Sequence, residues 1–319
     1  MKDRFGREID YLRISVTDRC NFKCFYCVPR EKFKYIPHNE ILRYEEILKL
    51  IKIFVSLGIK KVRITGGEPL IRKDIEKLFF ELIKLKGVEK LSITTNGYFL
   101  TKFIPIFSKT GVSVNVSLDT LDKEKFIKIT GVDGLKNVLE GLREGKRNNV
   151  NIKLNTVLMR SNLDEVEKLV EFASSLSFPI RFIELMPFSN KDLWKKEYVP
   201  QDELVKILSK RWSIEKYNKK MGEGPSVYYR IKENGVVIGF ISPISHNFCD
   251  KCNRVRLTSD GFLYPCLSRE LKFNLKKPLR EGKSGDYIRE KIREIIYNKP
   301  FSYLMDEKEP ETSIRRIGG

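Results

Sequence analysis

Apolar residues recur along residues 11–185 in two alternating rhythms. Short β-branched runs at 12–16, 61–65, 90–94, 113–118, 151–158 and 180–184 read as strands, because such runs, bounded by polar or glycine-containing segments, fit a buried sheet. Between them, residues 44–57, 74–85, 101–108, 134–148 and 163–176 place apolar side chains at three- and four-residue intervals, the spacing that gives a helix one apolar stripe. Six βα-type repeats predict an α/β fold with a parallel sheet, open or partly closed into a barrel.

The rhythm stops at a linker containing Pro, Asn and Lys, at about 187–200. Beyond it the pattern predicts a helix at 201–212, a hairpin at 228–241 turning at Asn234-Gly235, a helix at 286–297 and a tail ending in Gly318-Gly319. The chain therefore divides into residues 1–186, the repeat portion, and residues 187–319, an extension of different character. In α/β folds ligands collect at the carboxyl ends of strands. Cys20, Cys24 and Cys27 follow the first strand, Gly66-Gly67-Glu68-Pro69 the second and Asn96-Gly97 the third.

Composition narrows the chemistry. Lys and Arg number 61 against 42 Asp and Glu, a net charge of +19, which suits an anionic partner or a set of solvated lysine-rich helix faces. The opening residues lack the apolar core of a signal peptide, and no apolar run reaches the ~20 residues of a membrane span, so a cytoplasmic protein without a membrane partner is expected. With only His38 and His246 present, a histidine general base or a polyhistidine metal site is disfavoured.

The six cysteines fall into two sets of three: Cys20, Cys24 and Cys27, then Cys249, Cys252 and Cys266. In a reducing compartment such spacings read as metal ligands rather than disulfides. Three thiolates hold a four-iron cluster and leave one iron open to a small molecule. Zinc would want a fourth ligand. None lies near the first set, whereas His246 is a candidate for the second. Arg254 and Arg256 follow Cys252. On an extended segment both point to one face and can reach one anion, although surface decoration is the plainer reading of such a pair alone.

The CxxxCxxC pattern with Tyr26 before its last cysteine, and the GGEP stretch one strand later, resemble the radical S-adenosylmethionine (SAM) superfamily. LRISVTDRCNFKCFYC, RITGGEPL, TTNG, NVSLD, RFIELMP, FCDKCNRVRLTSDG and the terminal Gly-Gly together resemble, over nearly the whole chain, the MoaA family, the GTP 3′,8-cyclases of molybdenum-cofactor biosynthesis. The resemblance implies a partial (βα)6 barrel with an α+β extension, SAM, and two [4Fe-4S] clusters held by the two cysteine sets. The first cluster would cleave SAM to a 5′-deoxyadenosyl radical that takes hydrogen from ribose C3′ of GTP, and the second would bind the guanine. The product would be (8S)-3′,8-cyclo-7,8-dihydroguanosine 5′-triphosphate.

Carried over by position, the resemblance assigns Arg13, Arg63, Thr94, Lys153, Arg254 and Arg256 to GTP, with Arg13, Arg254 and Arg256 also catalytic. Tyr26, Gly67, Ser117 and Met186 are assigned to SAM. Strand packing is the alternative for Ser117 and Met186, and an ion pair with Glu184 competes with a GTP contact for Arg181. Gly318-Gly319 would enter the active site. The electron donor would be of ferredoxin or flavodoxin type. A homodimer is open to the chain, and no stable nucleic-acid complex is expected. Two other readings stand beside this one: a different radical SAM enzyme with an auxiliary cluster, and a zinc-containing nucleic-acid-binding protein.

Overall fold

A computed structural model of the chain describes residues 1–27, 34–188, 190–219, 221–222, 224–267, 271–302 and 314–318. Along the repeat portion the elements are β1 (Tyr11–Ser15), α1 (Tyr44–Ser56), β2 (Lys61–Thr65), α2 (Ile75–Lys84), β3 (Lys90–Thr95), α3 (Leu100–Thr110), β4 (Ser113–Ser117), α4 (Lys123–Thr130), α5 (Leu135–Arg147), β5 (Ile152–Leu158), α6 (Val166–Leu176) and β6 (Ile180–Glu184). The six expected strands are all present. Then come α7 (Lys191–Glu197), α8 (Gln201–Ser209), β7 (Ile214–Lys216), β8 (Val227–Ile231), β9 (Val237–Ile241), β10 (Arg254–Leu257), β11 (Phe262–Tyr264), β12 (Phe273–Asn274), α9 (Lys276–Arg280), α10 (Gly285–Tyr297) and α11 (Ile314–Ile317).

The chain folds as two compact units. The first comprises 1–21, 30–94 and 249–319. Its parallel strands β10, β1, β2 and β3 lie side by side, and β11 and β12 add antiparallel to β10. One face carries Leu12, Ile14, Val62, Ile64, Ile93, Val255 and Leu257, all fully buried. Leu50, Ile51 and Phe54 of α1, Phe79 and Leu82 of α2, and Ile288 and Ile292 of α10 belong to the same unit's core. Each such side chain contributes about 1.5–3 kcal/mol on burial, so this face can offset polar groups gathered on the other.

The second unit comprises 22–29 and 95–248. Here β4, β5, β6 and β9 are parallel, with β8 and β7 antiparallel beyond them. Val114, Val116, Leu154, Ile180, Phe182, Ile238 and Phe240 form its core face. The alternate positions, Asn115, Ser117, Lys153, Asn155 and Arg181, share the opposite face.

The structure departs from the pattern read from sequence in three places. Between β4 and β5 it adds α4, ahead of the expected α5. The linker contains α7, started by Asn190, whose Oδ1 accepts from the backbone N–H of Asp192 and Leu193, and tied down by Trp194, whose Nε1 donates to Leu185 O. The extension also supplies strands to both units: β9 pairs with β6, and β10 with β1. Short strands such as β10 carry too few residues for periodicity to predict their partners.

Candidate active site

The first unit gathers arginines in a row. Arg13 on β1 is in register with Arg63 on β2 and with Arg256 on β10, and in-register residues on parallel strands ~4.8 Å apart face the same way. Arg254, two residues before Arg256, shares that face. Burial holds the Arg13 guanidinium well below its ordinary value, and the charges of Arg256, Arg63 and Arg254 push the same way. Burial and Arg254 likewise bring Arg256 down to about 10, with Cys252 and Cys266 acting against them. Arg256 Nε has no hydrogen-bond partner among the described residues. Arg63 donates from Nε to Ser92 Oγ at 3.2 Å and lies over the Tyr11 ring. Stacked, partly desolvated cations repel one another, and an anion on this face would relieve both the repulsion and the desolvation.

The next row toward the carboxyl ends holds Ser15 and Thr65, in register with each other. Continuing the β2–β3 register brings Thr94 level with Thr65, and Thr94 Oγ1 is buried without a hydrogen-bond partner among the described residues. Gly318 lies on this row. A methyl group there would stand 2.0 Å from Thr65 Oγ1, and its φ of +70° is in the left-handed region. Beside it, buried Arg315 donates to Cys20 O at 3.4 Å. The tail thus reaches the face that carries the arginines. Gly319 lies outside the described residues.

Gly67 is closed in by backbone on the side where a Cβ would stand. A methyl group on it would meet Arg19 O at 2.1 Å, while its N–H donates to Thr17 O at 2.7 Å and Glu68 N–H donates to Arg19 O at 2.8 Å. Buried Glu68 accepts from Leu70 N–H. The GGEP loop therefore packs backbone to backbone on the segment that leads into Cys20.

The hairpin β10–β11 explains the long gap in the second cysteine set. Its two strands bring the residues after Cys252 beside those before Cys266, with Arg256 paired to Tyr264. Cys249 starts a tight turn in which Cys252 N–H donates to Cys249 O. Burial pushes the Cys252 thiol up, but Arg254, whose Nη2 donates to Sγ at 3.5 Å, and Lys299 outweigh it and bring it down to about 6.

In the second unit, Cys27 N–H donates to Cys24 O, and between them Tyr26 donates its hydroxyl to Asp119 Oδ2 at 2.6 Å. Asp119 also accepts from Val157 N–H at 2.8 Å, and its backbone carbonyl accepts from Asn162. Burial pushes the Asp119 carboxyl up to about 6. Burial, then Asp119, Cys24 and Cys27, raise the Tyr26 phenol. Lys153 is buried and in register with Asn115; Ser117 is in register with Asn155. Met186 follows β6, partly buried.

The Arg181–Glu184 ion pair is replaced by other contacts. Residues three apart on a strand face opposite ways, and Arg181 donates to Asn155 and Asn115, whereas Glu184 accepts from the backbone of Gln201, Ile244 and Ser245. His246 Nε2 is bonded to Asp202 at 2.8 Å.

All six cysteines are free thiols of intermediate exposure. Among the described residues no three Cys, His, Asp or Glu side chains already stand in a metal-ligating arrangement. The donor chemistry nonetheless fits an iron–sulfur cluster: one thiol of the second set is biased toward thiolate, and cations adjoin it.

Residues 14–173 match the Radical SAM superfamily and residues 178–305 match Molybdenum Cofactor Synthesis C. A GTP 3′,8-cyclase from Thermodesulfovibrio yellowstonii is 43% identical over the whole of both chains, and one from Petrotoga mobilis is 39% identical over the same extent. The chain belongs to the GTP 3′,8-cyclase family. As a radical SAM family member it uses SAM with an iron–sulfur cluster. Its α/β fold, of the partial (βα)6 type expected, is shared with Streptococcus suis SuiB. The SAM-bound SuiB structure has TM-score 0.63 at 19% identity, covering 90% of this chain and 68% of that one; the peptide-bound structure has TM-score 0.65 at 18%, covering 95% and 76%.

Asp119, Arg7 and Lys299 are the site-adjacent residues that sequence reading leaves without a role. NVSLD ends on Asp119, so a signal existed for it. A lone Lys after a helix gives none.

Proposed function

We propose that this member of the GTP 3′,8-cyclase family converts GTP to (8S)-3′,8-cyclo-7,8-dihydroguanosine 5′-triphosphate for molybdenum-cofactor biosynthesis. The observation that carries the reading is the in-register row Arg256, Arg13 and Arg63, with Arg254 behind it, on the strand that follows the second cysteine set. A triphosphate of about four negative charges is the kind of anion such a row accommodates bidentately.

Cys20, Cys24 and Cys27 hold one cluster and Cys249, Cys252 and Cys266 a second. Bound SAM and the first cluster supply a 5′-deoxyadenosyl radical for removing hydrogen from C3′. The chain's own work is to seat and orient. Tyr26, Gly67, Ser117 and Met186 seat SAM; Arg13, Arg63, Thr94, Lys153, Arg254 and Arg256 fix GTP, so that the C3′–C8 bond forms rather than a side product. Closing the ring then takes one electron and one proton, and the product is an isomer of its substrate. The electron donor is of ferredoxin or flavodoxin type, and the setting is the cytoplasm; no described helix is long and apolar enough to cross a membrane.

Anaerobic reconstitution with iron and sulfide analysis, followed by incubation of the reduced protein with SAM and GTP, tests this. About eight irons per chain and a chromatographically new nucleotide isomeric with GTP support it. Bound zinc with unaltered GTP would sink it.

A further inference from the structure

Lys299 follows the end of α10 and is one of the largest fully buried side chains, 1% exposed. Its Nζ donates to Arg254 O at 2.9 Å and to Pro265 O. Arg254 opens β10 two residues after Cys252, and Pro265 follows β11 and immediately precedes Cys266, so one ammonium ties the two strand ends together where Cys252 and Cys266 emerge. Arg7 grips the same region from outside. Its guanidinium donates to Cys249 O at 2.7 Å, to Phe301 O at 2.7 Å and to Pro300 O at 2.6 Å. The segment 299–301 thus joins two buried cations to the backbone of all three parts of the cysteine set.

The two cations differ in their counter-charges. Arg7 is paired with buried Asp3 at 2.6 Å. Lys299 has no carboxylate partner among the described residues. A buried, unpaired ammonium is costly, and the groups of opposite charge that act on it are Cys252 and Cys266.

We propose that Lys299 is a positioning residue for the second cysteine set: it fixes the approach of Cys252 and Cys266 through the Arg254 and Pro265 carbonyls, and it is the built-in counter-charge of the iron–sulfur cluster they hold. The proposal rests on reading Cys249, Cys252 and Cys266 as cluster ligands. A fixed positive charge stabilises the more negative, reduced form of a neighbouring cluster. Lys299 therefore keeps the second cluster easier to reduce than its thiolates alone would.

The test uses the full chain with Cys20, Cys24 and Cys27 replaced by Ala, so that only the second set loads iron. Iron content, the electron paramagnetic resonance spectrum and midpoint potential are compared for Lys299 and for Lys299→Gln, Lys299→Arg and Lys299→Met. The expected result is a cluster in Lys299→Gln whose potential shifts to more negative values, with Lys299→Arg staying near the parent. A Lys299→Gln cluster at the parent potential overturns the proposal. Should Lys299→Gln fail to load, iron retained with Arg but lost with Met supports it, and equal loading of those two overturns it. Absence of iron from the Lys299 parent itself refutes the ligand reading, a failure that this readout separates from one of Lys299.

Discussion

Arg13 on β1 and Arg256 on β10 occupy one register position on adjacent parallel strands, although they come from opposite ends of the chain. Both are held below their ordinary basicity by burial and by neighbouring arginines. Such an arrangement stores repulsion that an anionic ligand releases, so binding and stability should respond oppositely to its removal. Arg256→Met is expected to weaken GTP binding about 10–100-fold, the loss of a charge-assisted contact, without lowering the melting temperature of the ligand-free protein. Calorimetric titration with GTP and a thermal melt check both. A large drop in stability with undiminished affinity would assign Arg256 to the scaffold.

Gly318 tests the role of the tail. A side chain at this position meets Thr65 Oγ1 and must adopt a left-handed backbone, a conformation costing roughly 1–2 kcal/mol for a non-glycine residue. Gly318→Val is expected to displace the tail and reduce turnover by about tenfold or more, since a misplacement of ~1 Å is enough for large losses, while the melting temperature changes little. Combining it with Thr65→Ala should recover part of the loss, because space returns although the backbone strain stays. Steady-state kinetics of the single and double variants measure this.

Gly67 is held against the Arg19 carbonyl rather than against open space. Gly67→Ala places a methyl where backbone already stands, an overpacking expected to cost about 1–3 kcal/mol and to move the segment entering Cys20. The expected outcome is a lower melting temperature in the metal-free chain together with weaker SAM binding. Weakened SAM binding at an unchanged melting temperature would show that Gly67 acts on the ligand alone.

Asp119 makes stability depend on pH with an unusual sign. Its folded carboxyl keeps its proton up to about 6, against 3.8 for the ordinary group. Between those values the folded chain binds more protons than the unfolded one, so stability falls as pH rises. Relative to Asp119→Asn, the metal-free protein should lose on the order of 2–3 kcal/mol between pH 4 and pH 7. Denaturant melts of the two proteins across that range check it; parallel curves would show that Asp119 ionises normally.

The sequence reading and the structure agree where local pattern decides. The six repeat strands follow from β-branched runs, and the Arg254–Arg256 segment is extended, the condition under which both arginines share a face. What sequence left dark depends on long-range register. Nothing in RVRL says that it lies beside LRIS, so the row joining Arg13 to Arg256 becomes visible only when β10 pairs with β1. The partners of Arg181 were equally hidden, since Asn115 and Asn155 lie on other strands. Lys299 carried no motif at all; its meaning lies in two carbonyls supplied by distant residues.

The central claim is that this chain directs a radical to C3′ of GTP. The direct measurement supplies GTP deuterated at C3′ to the reduced, reconstituted enzyme with SAM and follows the label by mass spectrometry. One deuterium in 5′-deoxyadenosine, with its loss from a new cyclic nucleotide, is the predicted result. Unlabelled 5′-deoxyadenosine, with the deuterium retained in unconverted GTP, would contradict it.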